Sequence, residues 1–276
     1  MAEFLEMRGI VKKFPGVLAL DHVHLSVKKG EVHALLGENG AGKSTLMKIL
    51  SGAYQKDEGE ILFDGQAVEI RSSHDAQRLN ISTIYQELNL TEQLTVAENI
   101  FMGRQLMKNR FQVDWKKMYA EAQKLLDDLG VDIDAHALVR DLGVARKQMV
   151  EVAKALSINS RVLIMDEPTA PLTNREIDTL FSTIRMLKSR GVSIIYISHR
   201  LEEVMEVCDR ATIMRDGKNV VELNVKDTNL DEIIRYMVGR ELKEKFPKIH
   251  IEPGAERMRV EHINAGKRVR DVSFAV

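Results

Sequence analysis

One short glycine-rich stretch constrains the fold of this chain more than any other feature of its sequence. Residues 37–44 read Gly-Glu-Asn-Gly-Ala-Gly-Lys-Ser, which satisfies the pattern G-x-x-x-x-G-K-[ST]. The short apolar run Val32–Leu36 precedes it, and a helical pattern follows from Thr45. A strand, a loop of this kind and a helix in direct succession predict nucleoside-triphosphate binding. A glycine-rich turn that matches by chance is the alternative, and the flanking strand and helix argue against it.

The residue types of this stretch suit phosphate binding. Glycines let the backbone form a nest whose N–H groups point at phosphate oxygens, and the following helix adds the positive end of its dipole. We expect Lys43 to reach the β- and γ-phosphates, the Ser44 hydroxyl to bind Mg²⁺, and Thr45 to help hold phosphate. The full set expected to bind the nucleotide phosphates is Gly37, Asn39, Gly40, Ala41, Gly42, Lys43, Ser44 and Thr45.

Two carboxylates follow a second buried strand. Asp166 and Glu167 come directly after the apolar run Val162–Met165. Ligands of parallel sheets bind at the carboxyl ends of the strands, so both acids are expected to face the phosphates. Asp166 is placed to hold Mg²⁺, and Glu167 to orient or deprotonate an attacking water. Taken alone, the pair is equally compatible with a solvated strand end.

A histidine occupies the corresponding position after a third strand. His199 follows the apolar strand Ile194–Ile197, which is expected in the same sheet, so it also falls at the phosphate edge. A neutral imidazole there can donate a hydrogen bond to the γ-phosphate. An ordinary polar residue after a strand remains the alternative reading.

Composition limits the classes of protein that remain. The 276 residues carry 40 Lys+Arg and 41 Asp+Glu, a net charge of −1, which argues against a dedicated nucleic-acid binder. Apolar runs fall well short of the roughly 20 residues that span a bilayer. The one cysteine, Cys208, excludes an internal disulfide and fits a reducing compartment. We therefore expect a soluble cytoplasmic chain whose membrane role, if any, needs a partner.

The pattern of elements predicts the organisation of the chain. Strands that alternate with helices predict a parallel sheet covered on both faces. A helix-rich middle, about residues 88–158, is expected as an inserted subdomain. The segment 246–256 contains two of the five prolines and is predicted to be a linker, so that residues 1–245 form the main domain.

Residues 257–276 repeat the beginning of the chain in weakened form. Met258–Ile263 echoes Met7–Ile10, and Val269–Val276 echoes Leu20–Val27. An orderly repeat of this kind predicts that a second copy of the domain begins here and is truncated before its own phosphate loop.

The motifs occur in an order that resembles a known family. The phosphate loop is followed by Tyr85-Gln86-Glu87, the helical insert, the run 142–153, Asp166-Glu167-Pro168-Thr169-Ala170 and Ser198-His199. Over residues 4–245 the chain resembles the nucleotide-binding subunit of an ABC transporter. It is most similar to the N-terminal half of the tandem ATPases of bacterial monosaccharide importers. The resemblance implies an α/β fold with a P-loop NTPase core of ABC type, a mixed sheet, an antiparallel β part at the N-terminus and an inserted helical subdomain.

The resemblance also implies roles for individual residues. Phe14 matches the aromatic residue that stacks on adenine, although a hydrophobic residue at the edge of a turn is the alternative. Gln86 matches the residue that contacts Mg²⁺ and relays the state of the nucleotide to the membrane partner. Residues 88–104 are then expected near the surface that receives the permease, with an ordinary surface of the subdomain as the alternative.

The chain departs from the family at one motif. The Leu-Ser-Gly-Gly-Gln signature, which binds the γ-phosphate across a dimer, is replaced here by Leu142, Gly143, Val144, Ala145 and Arg146. The serine hydroxyl and both glycines are missing, while the dipole of the helix can still attract phosphate. In a tandem arrangement this degenerate signature would face the phosphate loop of the second domain.

The function that the resemblance implies is that of an ATPase which powers sugar import. Its cofactors are ATP and Mg²⁺. Its partners are a second ABC ATPase domain, membrane permease subunits and, indirectly, a sugar-binding protein; nucleic acid is not among them. The expected location is the cytoplasmic face of the membrane, and slow hydrolysis is expected for the chain alone. Two alternatives remain: a soluble ABC-type ATPase acting on ribosomes or DNA, and a regulatory module that binds nucleotide without turnover.

Overall fold

A computed structural model describes residues 3–239, 254–266 and 268–276. The chain divides into two compact units, Met1–Arg240 and Glu241–Val276. Residues 246–253 of the predicted linker lie outside the described residues, so the limits of that linker stay a prediction.

The first unit begins with an antiparallel sheet. Its strands are β1 (Glu3–Phe14), β2 (Val17–Lys28), β4 (Glu58–Phe63) and β5 (Gln66–Val68), in the order β2-β1-β4-β5. Leu5 and Met7 follow the period-two alternation of β1 and are completely buried. Ile10 is also completely buried, after a shift in register between Met7 and Ile10. This sheet is the antiparallel β part that the sequence predicts.

A second, six-stranded sheet forms the centre of the unit. Its strands are β3 (Val32–Leu36), β6 (Ile81–Ile84), β9 (Val162–Asp166), β10 (Ser193–Ile197), β11 (Arg210–Arg215) and β12 (Lys218–Asn224). The order is β12-β11-β3-β10-β9-β6, and every pairing is parallel except that of β12 with β11. The three strands predicted to share a sheet, β3, β9 and β10, are direct neighbours, and the mixed α/β fold is confirmed. Their carboxyl ends therefore share one edge.

Eight α-helices are described. They are α1 (Lys43–Leu50), α2 (Ser73–Arg78), α3 (Val96–Ile100), α4 (Trp115–Asp128), α5 (Val144–Leu156), α6 (Asn174–Ser189), α7 (Leu201–Val207) and α8 (Leu230–Val238). Short 3₁₀ turns span Val139–Asp141 and Val225–Asp227. None of these helices is long and apolar enough to cross a membrane.

The helix-rich middle contains α3, α4 and α5, with a small hairpin of β7 (Met107–Asn109) and β8 (Gln112–Val113). The apolar stripe of α4, Met118, Ala122 and Leu126, is fully buried as its spacing predicts. These side chains belong to one continuous core that also includes Met165 and Ile194 of the central sheet. The helices are thus packed onto the sheet, and the subdomain limits of about 88 and 158 stay a prediction.

The second unit contains a hairpin of β13 (Arg259–Ala265) and β14 (Val269–Ala275). Its backbone repeats that of the β1–β2 hairpin. Ile10 pairs with Val23 in the first hairpin, and Ile263 pairs with Val272 in the second. Left-handed residues precede all four positions: Gly9, His22, His262 and Asp271. The sequence echo therefore extends to backbone geometry, whereas the truncated second domain stays a prediction.

Candidate nucleotide-binding site

The glycine-rich loop joins the end of β3 to the start of α1. Gly42 precedes the helix with φ of +101°, and Gly40 has φ of +87°. A Cβ on Gly42 would lie 2.8 Å from Leu20 Cδ2 and 2.9 Å from the carbonyl oxygen of Ala19. A Cβ on Gly37 would overlap the carbonyl oxygen of Met214. Glycine is therefore required at 37 and 42 both by backbone conformation and by space.

Lys43 closes the loop on itself. Its Nζ donates to the carbonyl oxygens of Gly37 at 2.8 Å and Glu38 at 3.0 Å. Burial lowers the pKa of this amine, while the nearby charges of Glu167 and Asp166 act in the opposite direction. The ammonium group is thus held beside the loop in a partly buried position, where its charge is weakly screened. A phosphate that took the place of the two carbonyl oxygens would form an ion pair with the Lys43 ammonium group.

A cavity of about 420 Å³ lies beside the loop. Its lining includes Asn39 to Thr45, together with Val17, Leu18 and Ala19 from the start of β2 and Asp216 and Gly217 from the turn between β11 and β12. Val17 and Leu18 are 61% and 47% exposed, which is high for side chains of this size. The cavity thus combines a floor formed by the glycine-rich loop with an apolar wall.

The apolar wall and the Asp216–Gly217 turn are absent from the sequence predictions. The Gly217 N–H donates to the Ala41 carbonyl at 3.2 Å, and the Asp21 N–H donates to the Gly217 carbonyl at 2.8 Å. The turn thereby connects the loop to β2. An Asp-Gly pair between two strands signals a hairpin turn in the sequence, but its contact with the loop depends on β11 lying next to β3.

Phe14 lies at the end of β1, outside the lining of this cavity. Its ring packs edge-on against Tyr54, with centroids 5.5 Å apart, and Lys12 Nζ lies 5.6 Å from its centroid. The stacking of Phe14 on adenine stays a prediction.

Three of the predicted site residues meet at one carboxylate. Gln86 Nε2 donates to Glu167 Oε2 at 3.1 Å, and His199 Nδ1 lies 3.2 Å from Glu167 Oε1. The three residues follow β6, β9 and β10, whose carboxyl ends are adjacent in the sheet. Glu167 has φ of +46°, a left-handed conformation that is costly for glutamate, and its N–H donates to the Ile197 carbonyl at 2.9 Å. Strain at such a position is typical of a functional site.

Asp166 lies beside this cluster at the end of β9. Burial raises its pKa, the charge of Glu167 raises it further, and Lys43 and Lys48 oppose the shift. Two adjacent carboxylates in a partly buried place provide an oxygen environment that suits a divalent cation. The described residues include no group of three or more His, Cys, Asp or Glu placed to bind a metal. A cation held by Ser44, Gln86 and Asp166 would therefore need the phosphate oxygens as further ligands.

The degenerate signature lies at the start of α5. Gly143 is the N-cap, with φ of −66° and no side-chain hydrogen bond to the helix, and an added Cβ would find no atom within 4 Å. Leu142 is buried, whereas Val144 and Arg146 are exposed. Ala145 and Arg146 line a different cavity, of about 470 Å³, next to α6. The phosphate-loop cavity and the signature are thus separate places on this chain.

Comparison with known proteins identifies the family of this chain. The model of the ABC transporter family matches residues 20–170. The ribose import ATP-binding protein RbsA 1 of Rubrobacter xylanophilus is 56% identical over 100% of this chain and 55% of its own length. The galactose/methyl galactoside import ATP-binding protein MglA of Salmonella typhimurium is 48% identical over 98% of this chain and 54% of its own length. The chain spans about half the length of these curated relatives.

A solved structure shows the same fold. The ADP conformation of an ATP-binding cassette of an ABC transporter superposes with a TM-score of 0.76 and 26% sequence identity. The match covers 87% of this chain and 100% of that cassette. The family model, the phosphate loop and the shared fold lead to one conclusion: this chain belongs to the ABC transporter family.

Proposed function

We propose that this chain binds ATP with Mg²⁺, hydrolyses it, and thereby powers the import of a sugar through a membrane permease. The observation that carries the proposal is the meeting of Gln86 and His199 on Glu167, at the strand edge that follows β6, β9 and β10. Relatives named for ribose, xylose and galactose import support the sugar class.

The chemistry is phosphoryl transfer to water, which depends on positioning and charge neutralisation. The loop N–H groups and Lys43 bind the phosphates and offset their charge. Glu167 orients the attacking water and accepts its proton, while Gln86 and His199 hold the two carboxylate oxygens in place. Mg²⁺, held by Ser44, Gln86 and Asp166, would supply further neutralisation of the phosphate charge when bound.

The site needs a second ABC domain to be complete. In this family ATP lies between the phosphate loop of one domain and the signature of the other, as the resemblance implies. Gly143, the N-cap of α5, has no hydroxyl group to offer to ATP bound at the phosphate loop of a second domain. We therefore propose that a second domain supplies the signature that faces Lys43, and that this chain alone hydrolyses ATP slowly.

Permease subunits are the proposed membrane partners, with a sugar-binding protein acting through them at the far side of the membrane. The chain would then lie on the cytoplasmic face. Residues 88–104 begin two residues after Gln86. They are the proposed permease-facing surface, because movement of Gln86 with the nucleotide would be transmitted to them.

The proposal is tested by fractionation and by hydrolysis measurements. We expect the natural protein to fractionate with membranes that contain its permease, and the purified chain to bind ATP while hydrolysing it far more slowly than the complete transporter. Co-purification with ribosomes or DNA would instead indicate a soluble ABC-type ATPase. Turnover by the purified chain at the rate of an intact importer would contradict the need for a second domain.

One observation favours a second candidate, a regulatory module that binds nucleotide without turnover. The signature positions 143–145 carry no hydroxyl group and only one glycine. Hydrolysis by the protein at its natural length separates the two candidates. A rate that Glu167→Gln abolishes supports the ATPase, whereas nucleotide binding with no measurable hydrolysis supports the module.

A further inference from the structure

A buried carboxylate outside the nucleotide site gathers three hydroxyl groups. Glu203, on α7, is 5% exposed. Its Oε2 accepts hydrogen bonds from Thr169 Oγ1 at 2.8 Å, Tyr196 Oη at 2.7 Å and Ser198 Oγ at 3.0 Å. All three donors are themselves buried. A carboxylate that accepts several hydrogen bonds away from water fixes its donors more firmly than a solvated one does.

Two of the donors lie next to residues of the nucleotide site. Thr169 is two residues after Glu167, and Ser198 directly precedes His199. The third donor, Tyr196, lies inside β10. Glu203 therefore connects the segment that carries Glu167 to the segment that carries His199.

The charge of Glu203 is balanced within the same group of residues. Arg200 Nη1 lies 2.9 Å from Glu203 Oε1, and the Arg200 N–H donates to Ser198 Oγ at 3.0 Å. His199 is thus flanked on both sides by residues that contact Glu203 directly.

The backbone of Glu167 is held in a strained conformation, and the contacts of Glu203 lie close to the segments that hold it. Its φ of +46° is unfavourable for glutamate and persists only where the surroundings fix it. The Glu167 N–H is bonded to the Ile197 carbonyl at 2.9 Å, so the position of Glu167 depends on the end of β10. Through Thr169 and Ser198, Glu203 joins the segment after Glu167 to the segment after β10.

We infer that Glu203 is a positioning residue for hydrolysis: it sets the relative placement of Glu167 and His199 through Thr169 and Ser198. The inference rests on the proposed function, because it assigns Glu203 to the geometry of that hydrolytic site. A purely structural role in the core is the competing explanation.

Matched variants separate the two explanations. Thr169→Val and Ser198→Ala, combined, remove the two hydrogen bonds that reach the site segments. Tyr196→Phe is the control, since it removes a hydrogen bond of similar length to the same oxygen from a residue that adjoins neither Glu167 nor His199. Glu203→Gln keeps an acceptor oxygen for the hydroxyls and serves as the conservative rescue of Glu203→Ala.

The experiment measures ATP hydrolysis by the protein at its natural length, together with hydrogen exchange of residues 167–170 and 198–200. The double variant is expected to lower kcat about tenfold, because small misplacements of reacting groups are costly, and to leave KM within about twofold. Exchange in both segments should accelerate. Tyr196→Phe should change kcat by less than about twofold and leave exchange unaltered, and Glu203→Gln should recover most of the kcat that Glu203→Ala loses.

Two outcomes overturn the inference: equal losses of kcat in Tyr196→Phe and the double variant, or a double variant whose exchange in both segments matches the unmodified protein. An unmodified protein that binds ATP without hydrolysing it would instead overturn the proposed function. The exchange comparison still decides the role of Glu203 in that case, because it does not depend on turnover.

Discussion

Two of the described helices begin directly after a glycine, and the structure requires glycine at only one of the two positions. Gly42 precedes α1 with φ of +101°, and an added Cβ would approach Leu20 and Ala19 within 3 Å. Gly143 precedes α5 with φ of −66°, and an added Cβ would meet nothing within 4 Å. Neither glycine gives its helix a side-chain cap.

The difference distinguishes the two helix starts that the proposed ATP site would use. At α1 the packing of β2 against the glycine-rich loop requires glycine, so glycine at this helix start is dictated by the fold. At α5 any small side chain fits, so the loss of the signature serine is a property of the sequence and not of the space available. The start of α1 is therefore the helix start at which the fold itself requires glycine. Four substitutions test this contrast between α1 and α5.

The largest effect is expected for Gly42→Ala. The methyl group cannot be placed without moving Ala19 or Leu20, and φ of +101° is strained for alanine. We expect a loss of about 2 kcal/mol in the free energy of unfolding, in the usual range for backbone strain, and loss of ATP binding. Thermal unfolding and ATP titration measure both. Retention of wild-type stability would show that the loop accommodates a side chain.

The first residue of each helix provides the next contrast. Lys43→Ala is expected to weaken ATP binding about a hundredfold, because it removes a charge-assisted contact to phosphate in a partly buried place. Val144→Ala at the start of α5 is the matched control and should leave ATP affinity of the isolated chain unchanged. Isothermal titration compares them, and equal affinities of the two variants would contradict the assignment of Lys43.

Asp166→Asn tests the electrostatics at the end of β9. Burial and the charge of Glu167 raise the pKa of Asp166 above its ordinary 3.8, so the folded state binds this proton more tightly than the unfolded chain does. Its destabilising contribution is therefore absent below pH 3.8 and complete above the raised pKa. We expect the variant to stabilise the nucleotide-free protein by about 1 kcal/mol at neutral pH, with loss of Mg²⁺-dependent ATP binding.

Unfolding of this variant is measured as a function of pH. The variant's gain in the free energy of unfolding over the unmodified protein should become smaller as the pH falls. A gain that is independent of pH would show that Asp166 is not the group responsible.

The smallest effect is expected for Gly143→Ser. The site is open, and a serine N-cap stabilises a helix by only a few tenths of a kcal/mol relative to glycine, so we expect about 0.3 kcal/mol. Denaturant unfolding measures the change, with Gly42→Ser as the contrasting variant. A clear destabilisation by Gly143→Ser would contradict the contrast between the start of α1 and the start of α5.

Much of this arrangement follows from the sequence, because it depends on local patterns. The apolar runs before Gly37, Asp166 and His199 predict three buried strands, and the rule for parallel sheets places the following residues at one edge. The structure shows the strands as neighbours, with Glu167 contacting Gln86 and His199.

The remainder depends on contacts between distant segments. The Gly217 N–H donates to the Ala41 carbonyl because β11 lies beside β3. Glu203, on α7, accepts hydrogen bonds from Thr169, Tyr196 and Ser198, which lie in other segments of the chain. No periodicity or spacing encodes those pairings. The open space at Gly143 is likewise invisible in the sequence, where the two glycines look alike.

The most direct test of the account is single-turnover hydrolysis of bound ATP by the protein at its natural length. Glu167→Gln keeps the size of the side chain and one acceptor oxygen but cannot accept the proton of water. The account predicts ATP binding like that of the unmodified protein and a rate at least about a hundredfold lower. Hydrolysis by Glu167→Gln at the unmodified rate would contradict the assignment of Glu167, and with it the hydrolytic site at this edge of the sheet.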